Sequence, residues 1–137
     1  MEENTGVITT ATILDREETS IYFLTYVAQD CSITEPKATA VNLTIIILDD
    51  NDNSPEFSSA EYSVSVPDNT SGDEFIFGAK AHDDDIGKNS QIKYFLDGKD
   101  KDKFTIAPDT GVIKAAGKLS TASIDGSDKV YNIEIHA

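Results

Sequence analysis

Apolar and polar residues alternate over several short stretches of the chain. Apolar side chains stand at every odd position from 41 to 47, and the same two-residue period runs through 62–66 and 92–96. This period predicts β-strands with one buried face, because successive side chains of a strand point to opposite faces of its sheet. No window of eleven residues shows the 3.6-residue period of a helix. Glycine, proline and aspartate separate the stretches, so the pattern predicts an all-β fold, an antiparallel β-sandwich.

The chain contains an internal repeat that predicts two similar domains. Thr5-Gly6-Val7-Ile8 recurs as Thr110-Gly111-Val112-Ile113, and Tyr22-x-Leu24-x-Tyr26 matches Tyr131-x-Ile133-x-Ile135. The two matches are 105 and 109 residues apart (Thr5 to Thr110, Tyr22 to Tyr131), which is the size of a whole domain. A repeat unit of that size indicates that the chain holds parts of two related domains.

The repeat and the strand patterns together give the expected domain boundaries. Residues 1–53 are expected to form the C-terminal half of a first domain with a linker, and residues 54–137 a second domain that lacks its last strand. We expect the chain to be a piece of a longer protein, because Met1 takes an apolar strand position and no signal peptide follows it. Six strands are predicted in the second domain, near 61–66, 75–81, 91–96, 103–106, 111–116 and 130–137.

The charge of the chain narrows the classes of partner. Of its 137 residues, 25 are acidic and 11 are basic, which gives a net charge of −14 and a pI near 4.2. Such a chain repels phosphate backbones and anionic lipid, so we expect neither nucleic-acid binding nor direct membrane contact. Its longest apolar run, Thr44–Leu48, is too short to span a membrane. The single cysteine, Cys31, is predicted to be a buried free thiol.

Oxygen-bearing side chains are concentrated in three clusters, each at the end of a predicted strand. The clusters are Asp15–Glu17, Asp49–Asn53, and Asp83–Asp85 with Asn89 beyond it. Strand ends gather at the two poles of a sandwich, so the clusters are predicted to converge. Two carboxylates about 4 Å apart repel by roughly 4 kcal/mol at a surface-like dielectric. Since no group of Lys or Arg of matching size lies nearby in the sequence, a cation is expected to compensate.

The donor types indicate which cation fits. Hard oxygen donors without histidine or cysteine favour Ca²⁺ over zinc or copper. An EF-hand is excluded, because Pro55 or Lys88 would occupy the position of its invariant glycine. A solvated turn remains the simpler explanation of any one cluster taken alone, since Asp, Asn and Gly favour turns.

These motifs resemble those of cadherin repeats, in the same order along nearly the whole chain. Asp49-x-Asn51-Asp52-Asn53-x-Pro55-x-Phe57 resembles the linker motif of that family. Leu14-Asp15-Arg16-Glu17 and Ala81-x-Asp83-x-Asp85-x-Gly87-x-Asn89 are similar to its acidic loops, and Thr5–Ile8 and Ala28-x-Asp30 also fit. The resemblance implies tandem Greek-key, immunoglobulin-like β-sandwich repeats.

The resemblance also implies a metal site and a function. Up to three Ca²⁺ ions would lie between consecutive repeats and stiffen the linker. The implied function is calcium-dependent cell–cell adhesion by the extracellular part of a single-pass plasma-membrane protein, with other cadherin-like ectodomains as homophilic or heterophilic partners. The regular repeat pattern suits a protocadherin or another long, non-classical member of the family. The implied ligands are the carboxylates of Asp15, Glu17, Asp52, Asp83 and Asp85, the side-chain oxygen of Asn51, and the main-chain carbonyls of Asp50, Asn53 and Asn89.

Three other functions compete with adhesion. A secreted calcium-binding matrix module would share the metal site, and a soluble acidic sandwich would bind no metal. An aspartic protease is suggested by Asp109-Thr110-Gly111, but that chemistry needs two carboxylates and the first repeat has Asn4 in the equivalent place. We therefore expect no enzymatic activity. Two sequons, Asn42-Leu43-Thr44 and Asn69-Thr70-Ser71, suit an extracellular glycoprotein, with the occupancy of each left open.

Overall fold

The computed structural model describes residues 5–67, 70–120 and 128–137, so Asn4 and Asn69 lie outside the described residues. The chain divides into two compact units, Met1–Asp50 and Asn51–Ala137. Regular structure in the described ranges consists of nine β-strands and one short 3₁₀ turn. No helix in those ranges has the length and apolar character needed to cross a membrane.

The first unit is built on an antiparallel hairpin. Strand β1 (Ile21–Gln29) pairs with β2 (Ala38–Ile46) over all nine positions of each strand. Asp30 closes the hairpin loop, because its main-chain N–H donates to the Lys37 carbonyl and its carboxylate accepts the Ser32 and Lys37 N–H groups. The long unbroken register follows from the strict alternation of the sequence, since a shift by one residue would turn every side chain to the other face.

The two faces of the hairpin differ in composition. One face carries Tyr22, Leu24 and Tyr26 opposite Ile45, Leu43 and Val41, and the tyrosines and Ile45 are half-buried. The opposite face, called the outer face below, is exposed throughout. It consists of Ile21, Phe23, Thr25 and Val27 on β1 and of Ala40, Asn42, Thr44 and Ile46 on β2.

The second unit contains three antiparallel sheets. A short ladder joins β3 (Glu56–Phe57) to β5 (Ala81–His82), and another joins β6 (Phe95–Asp97) to β9 (Glu134–His136). The third sheet has the order β4 (Phe75–Gly78), β8 (Val112–Ala115), β7 (Phe104–Ile106). The 3₁₀ turn at Lys101–Lys103 leads into β7.

The core of the second unit forms around β8. Ile113 and Ala115 are 1% and 0% exposed, and they alternate with exposed Lys114 as a half-buried strand requires. Ala79, Tyr94 and Leu119 are the other buried apolar residues in the described part of the chain. Phe104 on β7 meets the ring of Tyr131 edge-on at 5.8 Å between centroids, in the geometry that aromatic quadrupoles favour.

Two local predictions are wrong. Residues 61–66 are not a strand, because no segment in the described part of the chain provides them with a ladder of hydrogen bonds. Tyr62 nevertheless packs against the second unit, with its ring centroid 4.9 Å from that of Phe77. Cys31 is an exposed free thiol rather than a buried one, since it lies in the polar loop between β1 and β2.

Candidate metal centre

The second unit forms a turn of acidic residues directly after β5. Asp83 Oδ1 accepts a hydrogen bond from the Asp85 main-chain N–H at 2.9 Å, which is the local bonding that makes aspartate a turn former. Gly87 follows with φ of +65°, in the left-handed region that favours glycine. The turn buries both carboxyl groups, because Asp83 and Asp85 are 8% and 4% exposed.

Tyr94 holds this acidic turn against the core. Its hydroxyl accepts a hydrogen bond from the Ala81 main-chain N–H at 3.0 Å, two residues before Asp83. Its ring lies 6.3 Å from that of Phe57, and Phe57 is paired with Ala81 in the β3–β5 ladder. One buried tyrosine therefore positions both the acidic turn and the strand that follows the Asp52-Asn53 segment.

Asn53 joins the segment before β3 to the acidic turn. Its side-chain Nδ2 donates to Asp52 Oδ1 at 3.0 Å and to Asp85 Oδ1 at 2.8 Å. These contacts bring Asp52 and Asp85, which are 33 residues apart in the sequence, around one amide group. In the second unit the structure therefore brings together four residues of the predicted ligand set, Asp52, Asn53, Asp83 and Asp85.

The second carboxylate oxygen of Asp85 is the group that fits a cation. Asp85 Oδ2 is buried and accepts no hydrogen bond. A buried acceptor without a partner costs about 1–3 kcal/mol, and more when it is charged. Asp52 and Asp83 add two further carboxylates, and the donors are all hard oxygens. The residues of this unit therefore fit a hard divalent cation such as Ca²⁺.

A neighbouring aspartate differs from the buried pair. The carboxylate of Asp84 is 68% exposed and lies 2.9 Å from His82 Nε2, on the opposite side of the alternation from Asp83 and Asp85. It carries the same formal charge without the burial. Asp84 therefore serves below as the natural comparison for Asp85.

The acidic loop of the first unit is organised by an aspartate cap and an arginine. Asp15 Oδ1 accepts the Glu18 N–H at 3.0 Å, and the Asp15 carbonyl accepts the Thr19 N–H at 2.9 Å. The Arg16 guanidinium pairs with the Glu17 carboxylate, and its Nε lies 2.7 Å from Asp49 Oδ1. The contact with Asp49 is an ion pair. Arg16 therefore balances part of the negative charge of Glu17 and Asp49.

The remaining predicted ligands have fewer described contacts. Asp50 and Asn51 are exposed, and they lie where the first unit ends and the second begins. Asn89 is half-buried, and its main-chain N–H donates to the Ile86 carbonyl at 3.2 Å. Asp15 and Glu17 are both exposed on the turn of the first unit.

Three contributors were missed by sequence reasoning. The Asn53 side chain, expected to offer only its carbonyl, instead links two carboxylates. Arg16 lies within a predicted acidic loop and was assigned no role, although an arginine between two acids is a visible signal of an ion pair. Tyr94 gives no sequence signal beyond its apolar position, since its hydroxyl bond depends on the tertiary structure.

The Asp109-Thr110-Gly111 triplet is a structural turn between β7 and β8. The Thr110 and Gly111 N–H groups both donate to the Ala107 carbonyl, at 3.2 and 2.9 Å, and Gly111 has φ of +67°. The Asp109 carboxylate is exposed and pairs with Lys93. An exposed, ion-paired carboxylate lacks the second acid that the protease chemistry requires.

Comparisons with known proteins identify the family of both units. The family profile described as "Cadherin domain" matches residues 1–48 and 62–137. Protocadherin Fat 4 of Mus musculus is 40% identical over 120 residues, which are 88% of this chain and 2% of that protein. Protocadherin gamma-A9 of Homo sapiens is 42% identical over 95 residues, which are 69% of this chain and 10% of that protein. The chain thus spans a small fraction of the length of these relatives.

A solved structure supports the fold. Mouse cadherin-23 EC22-24 matches with a TM-score of 0.76 and 32% identity, over 80% of this chain and 36% of that one. Repeats of this family are extracellular, calcium-binding modules of adhesion proteins with an immunoglobulin-like β-sandwich fold and no enzymatic activity. The predicted fold class and the predicted lack of catalysis are confirmed. On sequence and structure alike, the chain belongs to the cadherin family.

Proposed function

We propose that this chain binds Ca²⁺ at the linker between two cadherin repeats, and that it supports calcium-dependent cell–cell adhesion. The observation that carries the proposal is the buried, unpaired Asp85 Oδ2. The Oδ1 of the same carboxylate shares the Asn53 amide with Asp52, and Asp83 accepts a hydrogen bond from the Asp85 main chain. A buried charge of this kind is stabilised by a bound metal or a partner, and the donors here suit calcium.

The proposed ligands come from both sides of the unit boundary at Asp50. The first unit contributes the carboxylates of Asp15 and Glu17. The acidic turn of the second unit contributes Asp83 and Asp85 with the carbonyl of Asn89. The connecting segment contributes the Asp52 carboxylate, the Asn51 side chain, and the Asp50 and Asn53 carbonyls. We place the boundary of the repeats accordingly, with 1–53 as the end of one repeat and its linker and 54–137 as the next.

The mechanical role follows from where these residues stand in the sequence. When bound, Ca²⁺ supplies the positive charge that offsets the clustered carboxylates. Asn53 holds Asp52 beside Asp85, so the connecting segment is tied to the acidic turn of its own unit. Without a cation, repulsion among Asp52, Asp83 and Asp85 opposes this arrangement. The linker is therefore proposed to stiffen with calcium and to loosen without it.

The cellular setting follows from the family. We propose that the chain is part of the ectodomain of a single-pass plasma-membrane protein. Its proposed partners are other cadherin-like ectodomains, either homophilic or heterophilic. The metal-binding residues would set the stiffness with which adhesive surfaces are presented. Extracellular modules bind Ca²⁺ with a Kd of about 10⁻⁴ to 10⁻³ M.

Heat unfolding with and without calcium tests the metal site. Ligand at 100 times its Kd adds about 2.7 kcal/mol to the free energy of unfolding, so the melting temperature of the wild-type chain is expected to rise. Asp85→Asn is expected to lose most of that rise. It is also expected to stabilise the calcium-free chain, because it removes one of the clustered negative charges.

The control is Asp84→Asn, which removes the same charge from an exposed side chain one position away. It is expected to keep the calcium-dependent rise. Equal losses in the two variants would indicate a general charge effect rather than a site. A wild-type chain whose melting temperature does not respond to calcium would reject the proposal.

A further inference from the structure

The outer face of the β1–β2 hairpin is apolar and fully exposed. Phe23 is 78% exposed, Ile46 63%, Val27 53% and Ile21 43%. Neither strand contains a charged residue, although the chain as a whole has a net charge of −14. Apolar residues scattered singly are normal on a surface, but neighbours on one face of a sheet form a patch that is usually covered.

Three positions of the equivalent face in the second unit are polar. At the repeat spacing of 109 residues, Phe23, Thr25 and Val27 correspond to Asn132, Glu134 and His136. These three residues are exposed on and beside β9, as expected for a face in contact with water. Phe95, which stands opposite His136, and Val130, the counterpart of Ile21, are nevertheless exposed and apolar. The fold therefore accepts polar side chains at the positions of Phe23 and Val27 but does not require a wholly polar face.

A glycosylation sequon lies in the middle of this face. Asn42 and Thr44 of Asn42-Leu43-Thr44 are two residues apart on β2, so both point to the outer face. Asn42 stands opposite Thr25, and Thr44 stands opposite Phe23. Both sequon residues are exposed. The Thr25 hydroxyl donates to Asn42 Oδ1 at 3.3 Å, a contact that uses the amide oxygen and not the nitrogen to which a sugar is attached.

We propose that Asn42 is an N-glycosylation site and that its glycan covers the apolar outer face. The Asn42 Nδ2 forms a bond to C1 of the first sugar of a lipid diphosphate-linked oligosaccharide. The C1–O bond to the diphosphate breaks, the lipid diphosphate leaves with the bonding electrons, and Nδ2 loses one proton to a base. The oligosaccharide donor and the transferase belong to the secretory pathway, which the extracellular repeats of this family traverse.

The position of Phe23 fixes what the first sugar contacts. Phe23 and Val27 flank Thr25 along β1, so both are diagonal neighbours of Asn42 across the ladder. Diagonal neighbours on an antiparallel pair lie about 7–8 Å apart, within reach of large side chains. A sugar extending from Nδ2 over this distance lays its C–H face on the exposed Phe23 ring. The contact removes apolar surface from water, which is the driving force for covering the patch.

Peptide mapping of the secreted chain tests the modification. The 137-residue chain is produced in animal cells behind an added signal peptide. No Lys or Arg lies between Lys37 and Lys80, so trypsin would leave both sequons on one peptide, whereas cleavage before Asp49, Asp50 and Asp52 separates Asn42 from Asn69. We expect the peptide that contains Asn42 to carry a glycan. Thr44→Ala is expected to abolish it, and Thr44→Ser, which preserves the sequon, to retain it.

Removal of the glycan tests the packing against Phe23. Enzymatic release is expected to lower the melting temperature of the wild-type chain and to change that of Phe23→Ser much less. The control is Phe95→Ser, which replaces an aromatic residue of similar exposure (58%) on the second unit and should leave the effect of glycan release intact. An unmodified Asn42 in the wild-type chain would overturn the site. The same response to release in Phe23→Ser and wild type would overturn the packing.

Discussion

At the scale of single residues, charge balance explains the local structure of the acidic loop in the first unit. Arg16 is 14% exposed at its side chain and stands beside both Glu17 and Asp49. A guanidinium offers five donors in a planar fork, which suits it to contact two carboxylates at once. Arg16 thereby ties the turn after Asp15 to Asp49, three residues beyond the end of β2.

Replacement of Arg16 tests this role. In the presence of a chelator, Arg16→Gln is expected to weaken the turn by about 1 kcal/mol, the upper end for ion pairs that are only partly exposed. The Thr19 amide, which donates to the Asp15 carbonyl, should then exchange its hydrogen about fivefold faster. Arg16→Lys keeps the charge and should recover part of the protection. A double-mutant cycle with Asp49→Asn that gives no coupling would contradict the ion pair.

At the scale of elements, close approach between backbones fixes the turn that joins β7 to β8. A Cβ on Gly111 would clash with the Ala79 carbonyl oxygen, and Gly111 has a φ of +67°. Gly87, in the acidic turn, has a similar φ of +65° but open space around it. Substitution of Gly87 therefore measures the free-energy cost of a left-handed backbone alone. Substitution of Gly111 measures that cost together with the cost of a steric clash.

Alanine at the two glycines is expected to give unequal effects. Gly87→Ala should cost about 1 kcal/mol, within the 1–3 kcal/mol known for strained backbone conformations. Gly111→Ala should lower the free energy of unfolding by more than Gly87→Ala does, because the new methyl group must displace the backbone between β4 and β5. Denaturant unfolding of both variants measures the difference. Equal costs would show that the turn moves freely away from Ala79.

The β6–3₁₀ connection contains an exposed ion pair whose effect depends on pH. Lys101 Nζ donates to Asp97 Oδ1 at 2.9 Å, which lowers the pKa of Asp97 and raises the pKa of Lys101. The pKa of Asp97 in the folded chain lies below the usual 3.8. The ion pair therefore stabilises the fold fully above pH 3.8, and this stabilisation is lost as the pH falls through the folded pKa. The pKa of Lys101 is raised above 10.5, so the ion pair is intact below pH 10.5 and is lost as the pH rises through the folded pKa.

The corresponding prediction is a small change confined to one pH window. Asp97→Asn is expected to lower the melting temperature slightly near pH 7. It should leave the melting temperature unchanged at a pH below the folded Asp97 pKa, where the wild-type carboxyl group is also neutral. Lys101→Gln should reproduce the neutral-pH loss. A deficit of Asp97→Asn that persisted in strong acid would mean that the charge is not the cause.

At the scale of the whole molecule, the sequence predicts what depends on local periodicity and misses what depends on distant partners. The alternation from 41 to 47 predicted β2 because every second residue faces the half-buried side. The strand expected at 61–66 has the same alternation but no ladder partner among the described residues, and periodicity carries no information on pairing. Cys31 was predicted to be buried from its residue type alone, but it is exposed because it lies in a loop.

The candidate site shows the same division. The convergence of Asp52 with Asp83 and Asp85 followed from placing acidic residues at strand ends, and within the second unit the structure has this arrangement. The Asn53 bridge was not predictable, because its side-chain geometry depends on a residue 32 positions away. Sequence order predicts which of these residues lie near one another. It does not predict which of them form hydrogen bonds to each other.

Proteolysis of the connecting segment tests the mechanical proposal for the whole chain. A protease that cuts before aspartate has targets at Asp49, Asp50 and Asp52, where the two compact units meet in sequence. Calcium is expected to slow these cuts about tenfold, which corresponds to about 1.4 kcal/mol of suppressed local opening. Cutting before Asp102, which is exposed in the 3₁₀ turn, serves as the internal control and should not change. Asp85→Asn should lose the protection and Asp84→Asn should keep it. If calcium raises the melting temperature but leaves these cuts as fast as before, the ion binds without stiffening the linker, and the adhesive role must depend on something other than a rigid joint.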